Sequence, residues 1–118
     1  MRKRLASHID EHFPEMREQP FLMACSGGVD SVVLTHLLRE LNLSFELAHC
    51  NFKLRGRESD QDADFVSNLA EELGLNINLK SFNTNTYAKV HKVSIQEAAR
   101  QLRYAWFMEC LEEKKLSF

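Results

Sequence analysis

Several features that would place this sequence in a specialised class of protein are missing. No apolar run reaches the roughly 20 residues that a transmembrane helix needs. The basic start at residues 2–4 is followed by polar residues rather than by the apolar core of a secretory signal. The net charge of -2 at pH 7 provides no overall basic field of the kind that favours nucleic acid. These absences predict a cytoplasmic protein with no membrane partner, in which any contact with RNA is made by local patches.

The cysteines are too few and too scattered for a metal site or a disulfide framework. Cys25, Cys50 and Cys110 are odd in number and contain no C-x-x-C pair, the spacing that zinc sites commonly use. The composition, with 44% hydrophobic and 27% charged residues, is that of an ordinary folded domain. A chain of 118 residues therefore has room for one core, and its thiols are predicted to be reduced.

Strand-like and helix-like patterns alternate along the chain. Short apolar or alternating runs predict strands at 21–25, 45–50 and 77–81. Apolar residues at helical spacing predict helices at 2–13, 32–41, 58–73 and 95–115. The polar stretch at 83–93 is predicted to be a loop with at most a short helical turn. This alternation predicts an α/β fold, a three-layer arrangement in which helices cover both faces of a parallel sheet.

The chain divides into a leading segment and a sheet-forming domain. Residues 1–20 are predicted to be a leading helix and a connector, with Pro14 and Pro20 bracketing the connector. Residues 21–118 contain all the predicted strands. The sequence stops after a helix, where the alternation calls for another strand, so we expect the domain to be truncated.

A glycine turn joins the first strand to the next helix, at the sheet edge where open α/β folds bind ligands. Its residues are Ser26, Gly27, Gly28, Val29, Asp30 and Ser31. Two glycines permit a tight turn and a close approach of the backbone, while the free amides and the dipole of the helix start attract anions. The turn therefore predicts a phosphate-binding loop. Asp30 would then need a cation such as Mg²⁺ between its carboxylate and the phosphates.

Other readings of these residues are weaker. A Walker A loop requires a lysine that is absent after Gly28, and a dinucleotide-binding turn requires a third glycine, whereas the next one is Gly56. A glycine turn without a chemical role is the remaining alternative. The acidic residues at 60–64 are spaced like a calcium loop, but Phe65 stands where that loop requires glycine. They are better explained as an acidic first helical turn.

The hexapeptide at residues 26–31, SGGVDS, resembles the pyrophosphatase-loop (PP-loop) motif of the N-type ATP pyrophosphatases. Residues 48–59 are similar to the segment H-x-N-H-x-L-R-G-x-x-S of the tRNA(Ile)-lysidine synthetases, and residues 96–104 resemble their E-x-A-A-R-x-x-R-Y helix. Phe52 departs from this pattern, because many members have histidine there, and we assign it no acid-base role. The three motifs follow the family's order and spacing over residues 24–104.

The resemblance implies a Rossmann-like fold of the adenine nucleotide alpha hydrolase type, of which residues 21–118 would be the N-terminal part. It implies ATP and Mg²⁺ as cofactors and ligation of lysine to C2 of the wobble cytidine of tRNA(Ile), through an adenylated base, to give lysidine. Because the family's next motif would lie beyond Phe118, the chain alone is expected to be inactive. The alternatives are another PP-loop enzyme that modifies tRNA or forms amides, and a nucleotide-binding module without catalysis.

Candidate site residues follow from the motifs and their positions. Asp30 and Arg100 are the candidate catalytic residues, and Asn51 joins residues 26–31 as a candidate ATP contact. Arg100 and Arg103 lie three residues apart on one helix face and together can clamp phosphates or an RNA backbone. For both arginines the alternative is a solvated helix face, and that alternative is stronger for Arg103.

The segment after the second strand is basic. Lys53, Arg55 and Arg57 are candidate contacts to tRNA or to phosphate, and a mobile surface loop is an equally good explanation. His49 can face the adenosine or can be a neutral histidine that the backbone satisfies.

Overall fold

The computed structural model describes residues 2–116, and these contain three strands and six helices. The strands share a parallel arrangement, and the helices connect and cover them. In chain order the elements are α1 (Arg2–His12), α2 (Glu15–Glu18), β1 (Phe21–Ala24), α3 (Val29–Glu40), β2 (Phe45–Asn51), α4 (Arg57–Leu73), β3 (Ile77–Ser81), α5 (Thr84–His91) and α6 (Ile95–Lys114).

The sheet has the order β1-β2-β3, with both strand pairs parallel. Phe21 of β1 is level with Phe45 of β2, and Leu47 of β2 is level with Ile77 of β3. Parallel neighbours place their carboxyl ends at one edge, so the segments after β1 and β2 meet there. The predicted α/β class and parallel sheet are confirmed.

Residues of β2 belong to two separate apolar clusters, one on each face of the sheet. Phe45 and Leu47 point to the larger cluster, which α1, α3 and α4 complete with residues such as Ile9 and Val66. Ala48 points to the opposite face, where residues of α6 including Trp106 cover it. Helices therefore lie on both faces of the sheet, as the three-layer prediction requires.

The leading helix is part of the same packing unit as the sheet. Ile9 of α1 is only 2% exposed and belongs to the larger cluster, together with Leu5 and Met16, which are partly buried. Burying such a side chain contributes roughly 1.5–3 kcal/mol relative to leaving it in water. The connector that follows contains the short helix α2, which the sequence pattern did not predict.

The prediction of a loop at 83–93 is wrong, because α5 occupies most of that stretch. The side chain of Asn83 accepts a hydrogen bond from the Thr86 amide (3.3 Å), which caps the helix. Ala88 is buried, and the Tyr87 hydroxyl donates to Gln101 of α6 (2.9 Å). Local polarity hid the helix because tertiary packing on α6, rather than a long apolar stripe, stabilises it.

Candidate functional site: the phosphate loop and its neighbours

The loop between β1 and α3 has the backbone conformation that its glycines permit. Gly27 has a φ of +90°, which residues with a side chain rarely adopt, and Gly28 is extended with φ -74° and ψ 163°. Gly28 is the residue that caps α3, and its amide donates to the Ser26 hydroxyl at 3.2 Å. The turn thus directs the chain from the sheet edge into a helix N-terminus.

The first turn of α3 presents amide groups that are free to bind an anion. A helix leaves its first amides without intrahelical acceptors. In the part of the chain that the structure describes, the amides of Val29, Asp30 and Ser31 have no hydrogen-bond acceptor. These groups carry the positive end of the helix dipole, so the loop has the donors that a phosphate requires.

Two serine hydroxyls stand together at this loop. The oxygens of Ser26 and Ser31 are 3.1 Å apart, and Ser31 also donates to the Gly28 carbonyl at 3.1 Å. Behind them, the buried Thr35 donates to the Ser31 carbonyl at 2.7 Å. The hydroxyl pair is therefore held in a fixed position beside the free amides, and because the Ser31 proton is used on the Gly28 carbonyl, the Ser26 hydroxyl is the one that can donate to a ligand.

Asp30 is exposed in the first turn of α3 and lines a different surface from the serines. It borders a cleft of about 660 Å³ between α1 and α3, with Arg4 and His8 among the other lining residues. Ser26 borders two smaller cavities at the carboxyl ends of the strands, and Ser31 borders one of them. The loop therefore separates Asp30 from the side where the two hydroxyls lie.

Residues at the end of β2 are buried and already hydrogen-bonded within the protein. His49 is 5% exposed, and its Nδ1 lies 2.8 Å from the Cys25 carbonyl, so backbone satisfies this histidine. Asn51 is 6% exposed; its amide nitrogen donates to Asp60 (2.8 Å) and its oxygen accepts from the Lys53 amide (3.0 Å). Both residues line a cavity beside the loop and hold its walls in place.

The basic segment after β2 is tied to α4 by two ion pairs with the same seven-residue spacing. Lys53 Nζ lies 2.7 Å from Asp60 Oδ1, and the Arg55 guanidinium pairs with the Asp62 carboxylate. The hydrogen bond from Lys53 is the main reason why the pKa of Asp60 lies below its ordinary value, and Asn51 adds to the effect. The two cations are therefore partly neutralised by the protein itself.

The two candidate arginines of α6 have different surroundings. Arg100 is exposed and donates to both carboxylate oxygens of Glu97 at 2.8 and 3.1 Å, which raises the pKa of Arg100 and lowers that of Glu97. Arg103 lines the cavity that Ser26 and Ser31 border. Of the two, the structure brings Arg103 to the phosphate loop. Arg57, at the start of α4, is exposed and lines neither of these cavities.

Two cavities flank the phosphate loop, one on each face of the sheet. The first, of about 190 Å³, lies between the end of β2 and α4, and its lining includes Ser26, Arg55 and Asp62. The second, of about 170 Å³, lies towards α6, and its lining includes Ser26, Arg103 and Phe107. The loop is therefore accessible from two sides at the carboxyl edge of the sheet.

Phe52 and Asp62 belong to this site although sequence reasoning gave neither a role. Phe52 lines both cavities, and its ring stacks on Phe82 with the centroids 5.6 Å apart. Its carbonyl accepts a hydrogen bond from the buried Thr84 hydroxyl at 2.8 Å. The sequence favours Tyr104 and Trp106 as core residues rather than as a platform for base stacking. That prediction is wrong for Tyr104, which is 67% exposed, whereas Trp106 is 9% exposed. Helical rotation, which sequence alone does not define, decides these positions.

Cys50 lies between the two cavities, and its thiol is strongly perturbed. Burial raises the pKa of Cys50 to about 11, and this outweighs the opposing effect of the nearby Arg103. A thiol with so high a pKa is neutral at physiological pH and a poor nucleophile. Cys25, Cys50 and Cys110 are all free cysteines in this structure.

A magnesium ion at this loop would have to be shared between the protein and phosphate. Residues 2–116 contain no group of three or more acidic, histidine or cysteine side chains that would hold a metal unaided. Mg²⁺ in nucleotide sites keeps several waters and takes only one or two carboxylates besides the phosphates. Asp30, in the first turn of α3, can supply one such carboxylate. Within the same residues, no helix combines the length and hydropathy needed to cross a bilayer.

Comparisons with known proteins agree with this geometry. The family model described as "PP-loop domain" matches residues 1–118. The tRNA(Ile)-lysidine synthase of Bacteroides thetaiotaomicron is 40% identical over 113 residues, which are 96% of this chain and 26% of that protein. The enzyme of the same name from Porphyromonas gingivalis strain W83 is 46% identical over 97 residues, or 82% of this chain and 21% of that protein. The chain thus spans about a quarter of the length of these relatives.

Solved structures give the same fold. An NH3-dependent NAD synthetase from Campylobacter jejuni superimposes with a TM-score of 0.71 at 17% identity, covering 96% of this chain and 51% of that one. An NMN synthetase from Francisella tularensis gives a TM-score of 0.69 at 19% identity, covering 95% of this chain and 49% of that one. At these identities the likeness concerns the fold alone.

Proposed function

The chain belongs to the PP-loop domain family, and on that premise we propose that it supplies the ATP site of an enzyme that makes lysidine. The reaction would ligate lysine to C2 of the wobble cytidine of tRNA(Ile). The relatives at 40% and 46% identity carry the name tRNA(Ile)-lysidine synthase, which supports this choice within the family. Residues 21–118 would then be the N-terminal part of the pyrophosphatase domain, acting in the cytoplasm where tRNA and ATP are available.

One observation carries the ATP site: a positive-φ glycine turn delivers three free amides and two hydroxyls to the carboxyl edge of a parallel sheet. Such an edge is where open α/β sheets bind ligands. We propose that residues 26–31 hold the polyphosphate of ATP, with Asn51 supporting the cavity wall. Mg²⁺, held by Asp30 and the phosphates, would supply charge neutralisation to the reaction.

The arginines of α6 have separate proposed roles. Arg103 lines the cavity beside Ser26 and Ser31, so we propose that it neutralises phosphate charge when ATP binds. Arg100 is paired with Glu97, so its charge is partly neutralised in this structure. The exposed residues Lys53 and Arg57 are proposed to contact tRNA phosphates, which lie on the outside of the nucleic acid.

The proposed reaction has two steps. The cytosine O2 attacks the α-phosphorus of ATP, the bond to the β-phosphate oxygen breaks, and pyrophosphate leaves, so the base carries AMP. The amine of lysine then attacks C2, the bond from C2 to the AMP oxygen breaks, and AMP leaves as the amine loses a proton. The loop amides and Arg103 stabilise charge on the phosphates while the site aligns attacker and leaving group.

The decisive experiment uses the full-length protein that carries this sequence. With ATP, tRNA(Ile) and lysine we expect release of AMP and pyrophosphate that depends on both tRNA and lysine. AMP formation with glutamine or ammonia in place of lysine would instead identify an amide-forming relative. Binding of ATP without any turnover would identify a nucleotide-binding module. The 118-residue chain alone is expected to bind ATP without releasing pyrophosphate.

A further inference from the structure

Asp62 of α4 lies directly against the phosphate loop. A methyl group placed on Gly27 would come within 3.6 Å of both the Asp62 Cβ and the Asp62 carbonyl oxygen. Asp62 also lines the 190 Å³ cavity together with Ser26, the first residue of the loop. Its carboxylate therefore stands close to the position proposed for the phosphates of ATP.

A bare carboxylate in this position would oppose the binding of a polyanion. Charges a few ångströms apart near a protein surface interact strongly, because the effective dielectric constant there is far below that of water. The Asp62 side chain is 35% exposed, so solvent screens it only in part. A nucleotide site that contains this residue needs a nearby positive charge.

Arg55 supplies that charge and is held in place to do so. Its guanidinium pairs with the Asp62 carboxylate, and it lines the same cavity. Its backbone amide donates to the hydroxyl of Ser59 (3.1 Å), a side chain that is 8% exposed within α4. A second carboxylate, that of Glu58, lies 3.8 Å from the other guanidinium nitrogen. The segment before α4 therefore carries Arg55 to one defined place beside the loop.

We propose that Asp62 and Arg55 form a counter-charged pair that tunes the phosphate loop. Asp62 is a positioning residue that fixes Arg55 beside Ser26, and Arg55 cancels the repulsion that Asp62 would exert on the phosphates. The proposal rests on the proposed ATP site. None of the three sequence motifs indicated a role for Asp62. The proposal predicts that the effects of replacing Asp62 and Arg55 on ATP affinity are not additive.

The test is a double-mutant cycle on the full-length protein, with ATP and adenosine affinities measured by calorimetry at low salt. Arg55→Met uncovers the Asp62 carboxylate, and we expect ATP affinity to fall about tenfold, which corresponds to about 1.4 kcal/mol. Asp62→Asn alone should change it by less than about threefold. The double variant should return to within about threefold of the wild type, because neither charge remains.

Adenosine provides the readout that a purely structural role would not move. It has no phosphate, so its affinity should stay the same in all three variants. Asp64→Asn is the matched control: it removes the same charge from the same helix, but Asp64 is exposed and does not line the cavity. We expect this control to leave ATP affinity unchanged.

Each outcome has a distinct meaning. A double variant that binds ATP as weakly as Arg55→Met would show that Arg55 contacts the phosphates itself, which overturns the pairing. A parallel loss of ATP and adenosine binding would show that the pair only maintains the fold. If the wild-type protein binds no ATP, the proposed function itself fails. If the wild type binds ATP but the effects of the two substitutions simply add, only the pairing of Asp62 with Arg55 fails.

Discussion

Replacing Gly27 with alanine tests the backbone argument for the phosphate loop. Gly27 has a φ of +90°, and a residue with a Cβ atom loses about 1–2 kcal/mol in left-handed conformations. The new methyl group would find Val66 at 3.5 Å and Asp62 at 3.6 Å, which are ordinary van der Waals distances. Packing therefore adds nothing, and the strain of the backbone decides the outcome.

Gly28 is the matched control, because it is the next residue and differs in conformation. Its φ of -74° and ψ of 163° suit any residue, and an added methyl group would meet only the Ser26 hydroxyl, at 3.4 Å. Alanine at such a position restricts the unfolded chain and stabilises by about 0.4–1 kcal/mol. Two adjacent glycine-to-alanine changes are thus expected to have opposite signs.

Thermal and urea unfolding of the two variants give the answer. We expect Gly27→Ala to lose about 1 kcal/mol or more, which lowers the Tm by roughly 4 °C in a domain of this size. Gly28→Ala should match the wild type or exceed it. A Gly27→Ala variant as stable as the wild type would refute the assigned strain. An equal loss in both variants would show that loss of flexibility, rather than backbone conformation, governs this turn.

Three further changes probe the surroundings of the loop. Alkylation of Cys50 near pH 8 should be roughly 100-fold slower than that of a free cysteine, because its pKa is about 11. The alkylation rate should rise with pH. Mass spectrometry after timed labelling, with and without ATP, measures this rate. Thr84→Val removes the hydrogen bond that the Thr84 hydroxyl donates to the Phe52 carbonyl. Urea unfolding should show that the free energy of unfolding falls by about 1–3 kcal/mol. The pKa of Asp60 is lowered in the fold, so its contribution to stability is complete at neutral pH and disappears as the pH falls below its ordinary value of 3.8. Unfolding of Asp60→Asn and wild type should therefore converge in acid, and a constant difference would contradict the ion pair with Lys53.

The secondary structure that could be predicted is the part that carries a strong local signal. The short apolar run of β2 and the amphipathic stripe of α4 are both visible in the local sequence. Residues 94–97, Ser-Ile-Gln-Glu, have the sequence pattern of a helix cap, and the Ser94 hydroxyl accepts from the Glu97 amide at 3.1 Å. Helix α5 has no such signal, because its stability comes from contacts with α6 that only the folded chain provides.

The candidate site divides in the same way. The predicted loop at residues 26–31 has the turn and the helix start that its glycines and position indicated. The surroundings of Arg100 and Arg103 could not be predicted, because three residues along a helix shift a side chain by about 60° around the axis. That rotation leaves one arginine paired with Glu97 and turns the other to the cavity.

The sequence by itself determined the class of fold and the phosphate loop, because strand and helix periods and a two-glycine turn are properties of neighbouring residues. Only the tertiary structure decided which side chains share the site with that loop. Asp62 and Arg55 lie far from residues 26–31 along the chain, and they reach it because α4 packs against Gly27. Such contacts depend on the pairing of parallel strands and on the rotation of helices above them, and no local pattern of residues records either one.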